Sequence, residues 1–226
     1  MSAVTDRAFQ RLASDARRVF GDRFVALIAY GINASILFSS TIEPDDLDAL
    51  GPLVGTWERE GLETPLVMTP DEFQRSLDAF PLEYQDILDH HTVIAGTAPF
   101  QGVSIAAGDL RRACETQARS HLIHLRQGWI QHAAHHDGLA DLIARSAGPF
   151  RALLANVARL HGRAGLAGED LVGFAETTIG MPASVVRAVL DLEAHPDRDH
   201  ENAPNLVDYL SATERLWQFV DTWRTS

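Results

Sequence analysis

A chain of 226 residues, 46% hydrophobic and 22% charged, can bury a sizeable core as one domain or two small ones, and no apolar run approaches the ~20 residues of a membrane span. Its net charge of −12, with the basic side chains scattered rather than gathered in a stripe, excludes long nucleic acid as a default partner. Cys114 is the single cysteine and has no internal disulfide partner, and Met1 to Arg7 lacks the basic-then-apolar pattern of a secretory leader, so the sequence implies a reducing, cytoplasmic setting and no membrane.

In chain order, Val4 to Phe20 spaces Phe9, Leu12, Ala13, Ala16, Val19 and Phe20 as one helical face, with Thr5 able to cap the start and Gly21 to end it. Phe24 to Ser40 then holds two nearly continuous apolar runs around Tyr30-Gly31-Ile32-Asn33. Gly and Asn tolerate a tight turn, so the spacing predicts two adjacent strands, Phe24–Tyr30 and Ala34–Phe38, covered on both faces. Glu43-Pro44-Asp45-Asp46 opens a helix with Leu47, Leu50, Leu53, Val54 and Trp57 following, stopped by Gly61. Pro65 to Met68 reads as a short strand, and Thr69-Pro70-Asp71-Glu72 combines an N-cap, a helix-starting proline and a capping box for a helix to about Leu77. The alternation of Leu82 and Tyr84 against Glu83 and Gln85 predicts a fourth strand over Leu82–Ile87, and Thr92 to Gly96 a fifth.

Beyond Asp109 the strand signals vanish. A long helix from Asp109 toward His136 carries Leu110, Cys114, Ala118, Leu125 and Trp129 as one apolar stripe, with Ile123 and Ile130 on the opposite side. Gly138, Gly148-Pro149, Gly162 to Gly168, Gly180-Met181-Pro182 and His195 to Pro204 read as breakers between helices near 139–147, 149–161, 169–178, 182–194 and 205–223. The expected architecture is therefore α+β: an α/β domain over residues 1–105 and a helical bundle domain over 106–226. The acidic loop Asp197 to Glu201 lacks calcium-loop spacing and reads as a solvated linker.

The stretch Pro65 to Ile87, with its Thr-capped helix, Ser76-Leu77-Asp78 and Phe80-Pro81-Leu82-Glu83-Tyr84, followed by His91, Val93 and Gly96, resembles a family of bacterial nucleotidyltransferase-like proteins. The likeness continues through Leu110-Arg111, Glu115 and Leu125-Arg126, covering roughly residues 5–160. It implies a nucleotidyltransferase fold with a mixed sheet and a C-terminal helical domain. Active members of that superfamily hold nucleotide phosphates on a Gly-Ser turn after the first strand and divalent metal on an Asp-x-Asp pair on the next. This chain departs at each point: Ile32 follows Gly31, and Asn33 and Ser35 stand where the acids would be. Hard Mg²⁺ needs carboxylate oxygens, so Tyr30, Gly31, Asn33 and Ser35 are expected to form only a vestigial nucleotide site.

Three readings of function follow. The first is a pseudoenzyme that binds a nucleotide, a small phosphorylated ligand or a protein partner, with no cofactor. The second is an active transferase using Glu83 and Asp86 with Mg²⁺; Glu43, Asp45, Asp46 and Asp48 are instead explained by the positive helix end. The third places function in the helical half, as a metal site among His121, His124, His132 and His135 or as a ribonuclease-like Arg119/His124 pair. His121 and His132 lie eleven residues apart, about 16 Å along the axis, so no single ion joins them. Arg111, Arg112, Arg119 and Arg126 read as solvated charges. The second apolar side of the long helix, at Ile123 and Ile130, implies a homodimer or partner contact.

Overall fold

The structure is a computed structural model, and it describes residues 3–132, 136–194 and 204–223. The class is α+β. The chain divides into two compact units, Met1–Ile105 and Ala106–Ser226.

The first unit is built on a four-stranded mixed sheet of order β3-β2-β1-β4, with β1 Phe24–Tyr30, β2 Ala34–Ser39, β3 Leu66–Met68 and β4 Thr92–Gly96. β1 pairs antiparallel with both β2 and β4, and β2 parallel with β3. The unbroken apolar character of β1 and β2 is explained by what covers them. One face carries Leu27, Ala29 and Leu37 against α1 (Ala3–Phe20) and α2 (Pro44–Arg59), through Phe9, Leu12, Ala16, Leu50 and Trp57. The other carries Ala26, Ile28, Ile36 and Phe38 against Phe73, Tyr84 and Ile87. Those come from α3 (Pro70–Arg75) and α4 (Pro81–His90). Each fully buried large apolar side chain contributes about 1.5–3 kcal/mol. On the α3/α4 side Phe73 lies edge-on to Phe38 at 5.6 Å and stacks on Tyr84 at 4.5 Å.

Local signals explain most boundaries. α3 begins at the capping box, Thr69 Oγ1 accepting from the Glu72 amide and the Glu72 carboxylate accepting from the Thr69 amide. At α2, Asp46 accepts from the Glu43 amide and takes a bidentate bond from Arg23 at 2.6 and 2.7 Å. The Arg23 guanidinium thereby holds the Asp46 carboxyl below its ordinary range. α1 starts at Ala3, so Thr5 lies inside it rather than at its cap. Gly96 has φ +77°, and a Cβ there would lie 2.0 Å from the Val25 carbonyl oxygen, so only glycine closes the irregular β1–β4 pairing.

The predicted strand over Leu82–Ile87 is a helix, α4. Its buried residues Pro81, Tyr84 and Ile87 fall at intervals of three, one helical face, and Pro81 occupies a first-turn position that needs no amide hydrogen. The sheet thus has four strands, not five.

The second unit is helical among its described residues. α5 spans Ala107–His132 and buries Leu110, Cys114, Ala118, His121, Leu122, Leu125 and Gly128. Asp109 lies within its first turn, bonded to Arg112, and does not cap it. Trp129 is 36% exposed, so the predicted stripe is corrected: His121, Leu122 and Gly128 belong to it and Trp129 stands at its edge. α6 runs unbroken over His136–Leu160, through the Gly148-Pro149 pair expected to break it. Ile143, Ala147, Phe150, Leu154 and Val157 are all buried, a seam of alternating three- and four-residue steps that continues across Pro149 and outweighs the one amide hydrogen bond a proline removes. The helix expected near 169–178 is α7, Gly168–Phe174, continued by a π-helical turn over Ala175–Ile179. α8 (Ala183–Ala194) and α9 (Leu206–Thr222) complete the set. α9 opens with Asn205 Oδ1 accepting from the Val207 amide. The loop Asp197 to Glu201, His135 and the stretch 133–135 of the predicted long helix lie outside the described residues.

Candidate functional site

The β1–β2 hairpin turns through Gly31 at φ +60°, a conformation that disfavours any side chain. The Asn33 carbonyl accepts from the Glu63 amide at 3.1 Å, which ties the turn to the segment after α2. Tyr30 is half-buried, and burial, together with Glu83 and Glu63, pushes its hydroxyl up to about 12. The four residues of the expected nucleotide site do not share a face. Tyr30 packs with the α3/α4 cluster, whereas Ser35 pairs with Ala29 on the α1/α2 side. Ser35 is 1% exposed, and its hydroxyl has no hydrogen-bond partner among the described residues. Ile32, where a phosphate-binding serine would be wanted, stands 88% exposed.

Glu83 and Asp86 occupy α4, not a strand, three residues apart. Glu83 is exposed and its charge bears on Tyr30, while Asp86 bonds His90 at 3.0 Å one turn along. Among the described residues no three His, Cys, Asp or Glu side chains gather as metal ligands.

On α5 the histidines separate. His121 is buried, with Nε2 2.8 Å from the Tyr209 hydroxyl, which lies 3.1 Å from Ser146 Oγ. Burial, reinforced by His124, lowers its pKa to about 4, so it is neutral at physiological pH. Since the Ser146 hydroxyl donates to the Ile143 carbonyl, the network is complete if His121 Nε2–H donates to Tyr209 and Tyr209 donates to Ser146. A nitrogen so used does not bind metal. His124 bonds the Ser120 carbonyl through Nδ1 at 2.8 Å on the surface, and His132 is partly exposed near the helix end.

Arg119 and His124 do share a surface, an open groove of about 370 Å³ with Glu115, Thr116, Ser120 and Ile123. Its cation is already occupied: Arg119 reaches Asp221 at 3.4 Å and Glu115 at 3.7 Å and lies over the Trp217 ring at 5.5 Å. Arg111, Arg112 and Arg126 are likewise matched with Glu115, Asp109 and Glu214. Phosphate therefore meets no free positive charge from the α5 arginines. Cys114 is fully buried, and burial pushes its thiol up to about 12, which makes it a packing residue. No helix among the described residues is long and apolar enough to cross a membrane.

Sequence reasoning missed two participants, Tyr209 and Glu63. Tyr209 had a legible signal, since a tyrosine on the apolar face of a helix needs a hydrogen-bond partner. The approach of Glu63 to the hairpin is a tertiary contact with no local signature. No family model, curated protein or solved structure matches the chain.

Proposed function

We propose that this is a nucleotidyltransferase-fold chain that has lost metal-dependent nucleotidyl transfer and works as a protein-binding module. The observation that carries the reading is the electrostatics of the hairpin. Where such a site needs a cation to meet phosphate, or paired acids to hold Mg²⁺, two carboxylates bear on the Tyr30 hydroxyl. No metal-ligand group of three exists among the described residues, and the turn presents Ile32 to solvent. An anionic nucleotide is repelled there without metal, and the acids are too few and too exposed to hold one.

Calorimetric titration with ATP and Mg²⁺ or Mn²⁺ tests this. The expected result is no binding at micromolar nucleotide. Mg²⁺-dependent micromolar binding that Glu83→Gln abolishes would overturn the reading and restore the transferase.

A further inference from the structure

The hairpin offers more than a lost site. Turns are ordinarily built from Gly, Asn, Asp and Ser, yet this one holds Ile32 out at 88% exposure. The tip turns at Gly31, whose φ of +60° a glycine adopts without strain, and is tied down by the Glu63 amide donating to the Asn33 carbonyl. An apolar side chain displayed on an anchored turn loses little conformational freedom on binding, the property of an interface anchor. Phe80 is 53% exposed and lies 5.7 Å from the ring of Tyr84, a residue of the core cluster against which Tyr30 packs.

Charge selects the partner. Glu63 and Glu83 are exposed and form no ion pair among the described residues, whereas Asp15, Asp46 and Asp71 pair with Arg18, Arg23 and Arg75. The sheet unit holds seven arginines against sixteen carboxylates, −9 of the whole −12. Such a field attracts cations and repels phosphate and anionic lipid. Two carboxylates without a third ligand do not hold a bare metal ion.

We propose that the β1–β2 hairpin tip, with Ile32 as its apolar anchor and Glu63 and Glu83 beside it, docks a cationic segment of a protein partner that also carries apolar side chains. This rests on the reading that the hairpin is a protein-binding surface.

The probes are three synthetic peptides: leucine and lysine patterned as an amphipathic helix, the same with serine for leucine, and the same with glutamate for lysine. Binding is measured by calorimetry and located by amide NMR shifts. The leucine–lysine peptide is expected to bind and shift the amides of Ile32, Asn33 and Glu63. Ile32→Ser should weaken it about tenfold, and the Glu63→Gln/Glu83→Gln pair about fivefold. Asp45→Asn with Asp48→Asn, which neutralises charge on α2, should leave it unchanged. Equal binding of the serine–lysine peptide, equal weakening by the α2 variant, or shifts confined to other residues would reduce the effect to bulk charge and overturn the proposal. Self-association abolished by Ile32→Ser would overturn it in favour of a second copy. Absence of peptide binding while MgATP also fails to bind refutes this site alone; MgATP binding at the hairpin refutes the broader function.

Discussion

Acidification should unlock the helical unit through His121, and the size of the effect follows from its surroundings. The imidazole is 7% exposed, faces Tyr209 and Phe150, and is held neutral down to about pH 4. In the unfolded chain it titrates near its ordinary value of 6.5. Because the folded value is the lower, the unfolded chain binds more protons between the two. The stability His121 contributes is fully present above about 6.5 and is lost as pH falls through that window toward 4. The full loss is about 3 kcal/mol at 1.36 kcal/mol per pKa unit, and about 2 kcal/mol of it falls between pH 7 and 5. Urea unfolding followed by circular dichroism, with hydrogen exchange of the α5 and α9 amides, should show this loss in the native protein. His121→Gln can still bond Tyr209 but does not titrate, so its stability should fall less over the same range by about 2 kcal/mol. Equal pH slopes for the two proteins would refute the assignment of a buried, neutral His121.

Gly96→Ala should destabilise the sheet unit by at least about 2 kcal/mol, since it adds left-handed strain to a clash with the Val25 backbone; exchange rates of the β1 amides report it, and an unchanged pattern would refute the strained pairing. Ser35→Ala should leave the urea midpoint unchanged or raise it, because it removes a buried hydroxyl without a partner among the described residues; a marked loss would reveal a bond at Ser35. If a second copy covers the outer side of α5, where Ile123 is 54% and Ile130 82% exposed, sedimentation at micromolar concentration should show a dimer that Ile130→Asp dissociates without loss of helix content. A wild-type monomer removes that contact.

The parts legible in the sequence were those whose physics is local. The Gly31 turn between two apolar runs, the Thr69 capping box and the amphipathic face of α1 each announce themselves within a few residues. α4 was obscured because Leu82 and Tyr84 alternate with the polar Glu83 and Gln85, although Pro81, Tyr84 and Ile87 also fit a helix. The continuity of α6 across Gly148-Pro149 depends on a seam whose partners lie on other helices, so the breaker residues read more strongly than the packing. At the candidate site the acids Glu63 and Glu83 were visible as residues, but their convergence on Tyr30 is tertiary. The separation of Ser35 from Tyr30 was readable in principle, since an antiparallel register that pairs Ser35 with Ala29 puts it on the face opposite Tyr30.

The ladder between α5 and α9 sets an order on folding. α5 and α6 follow one another in sequence and can close as they emerge, but the Tyr209 partner of His121 and the Glu214 partner of Arg126 each lie 88 residues further on. Arg111 reaches the Trp223 carbonyl across 112 residues. During synthesis α5 therefore waits with a buried-type histidine and the side that α9 covers open to water until α9 is made, a period in which it is exposed to wrong partners. Once α9 arrives, Arg119 and Arg126 meet Asp221 and Glu214 at matching seven-residue spacings in opposite chain directions. A slip of one helical turn would misalign both pairs together, so the surface charges favour the same register of the last helix as its buried face does.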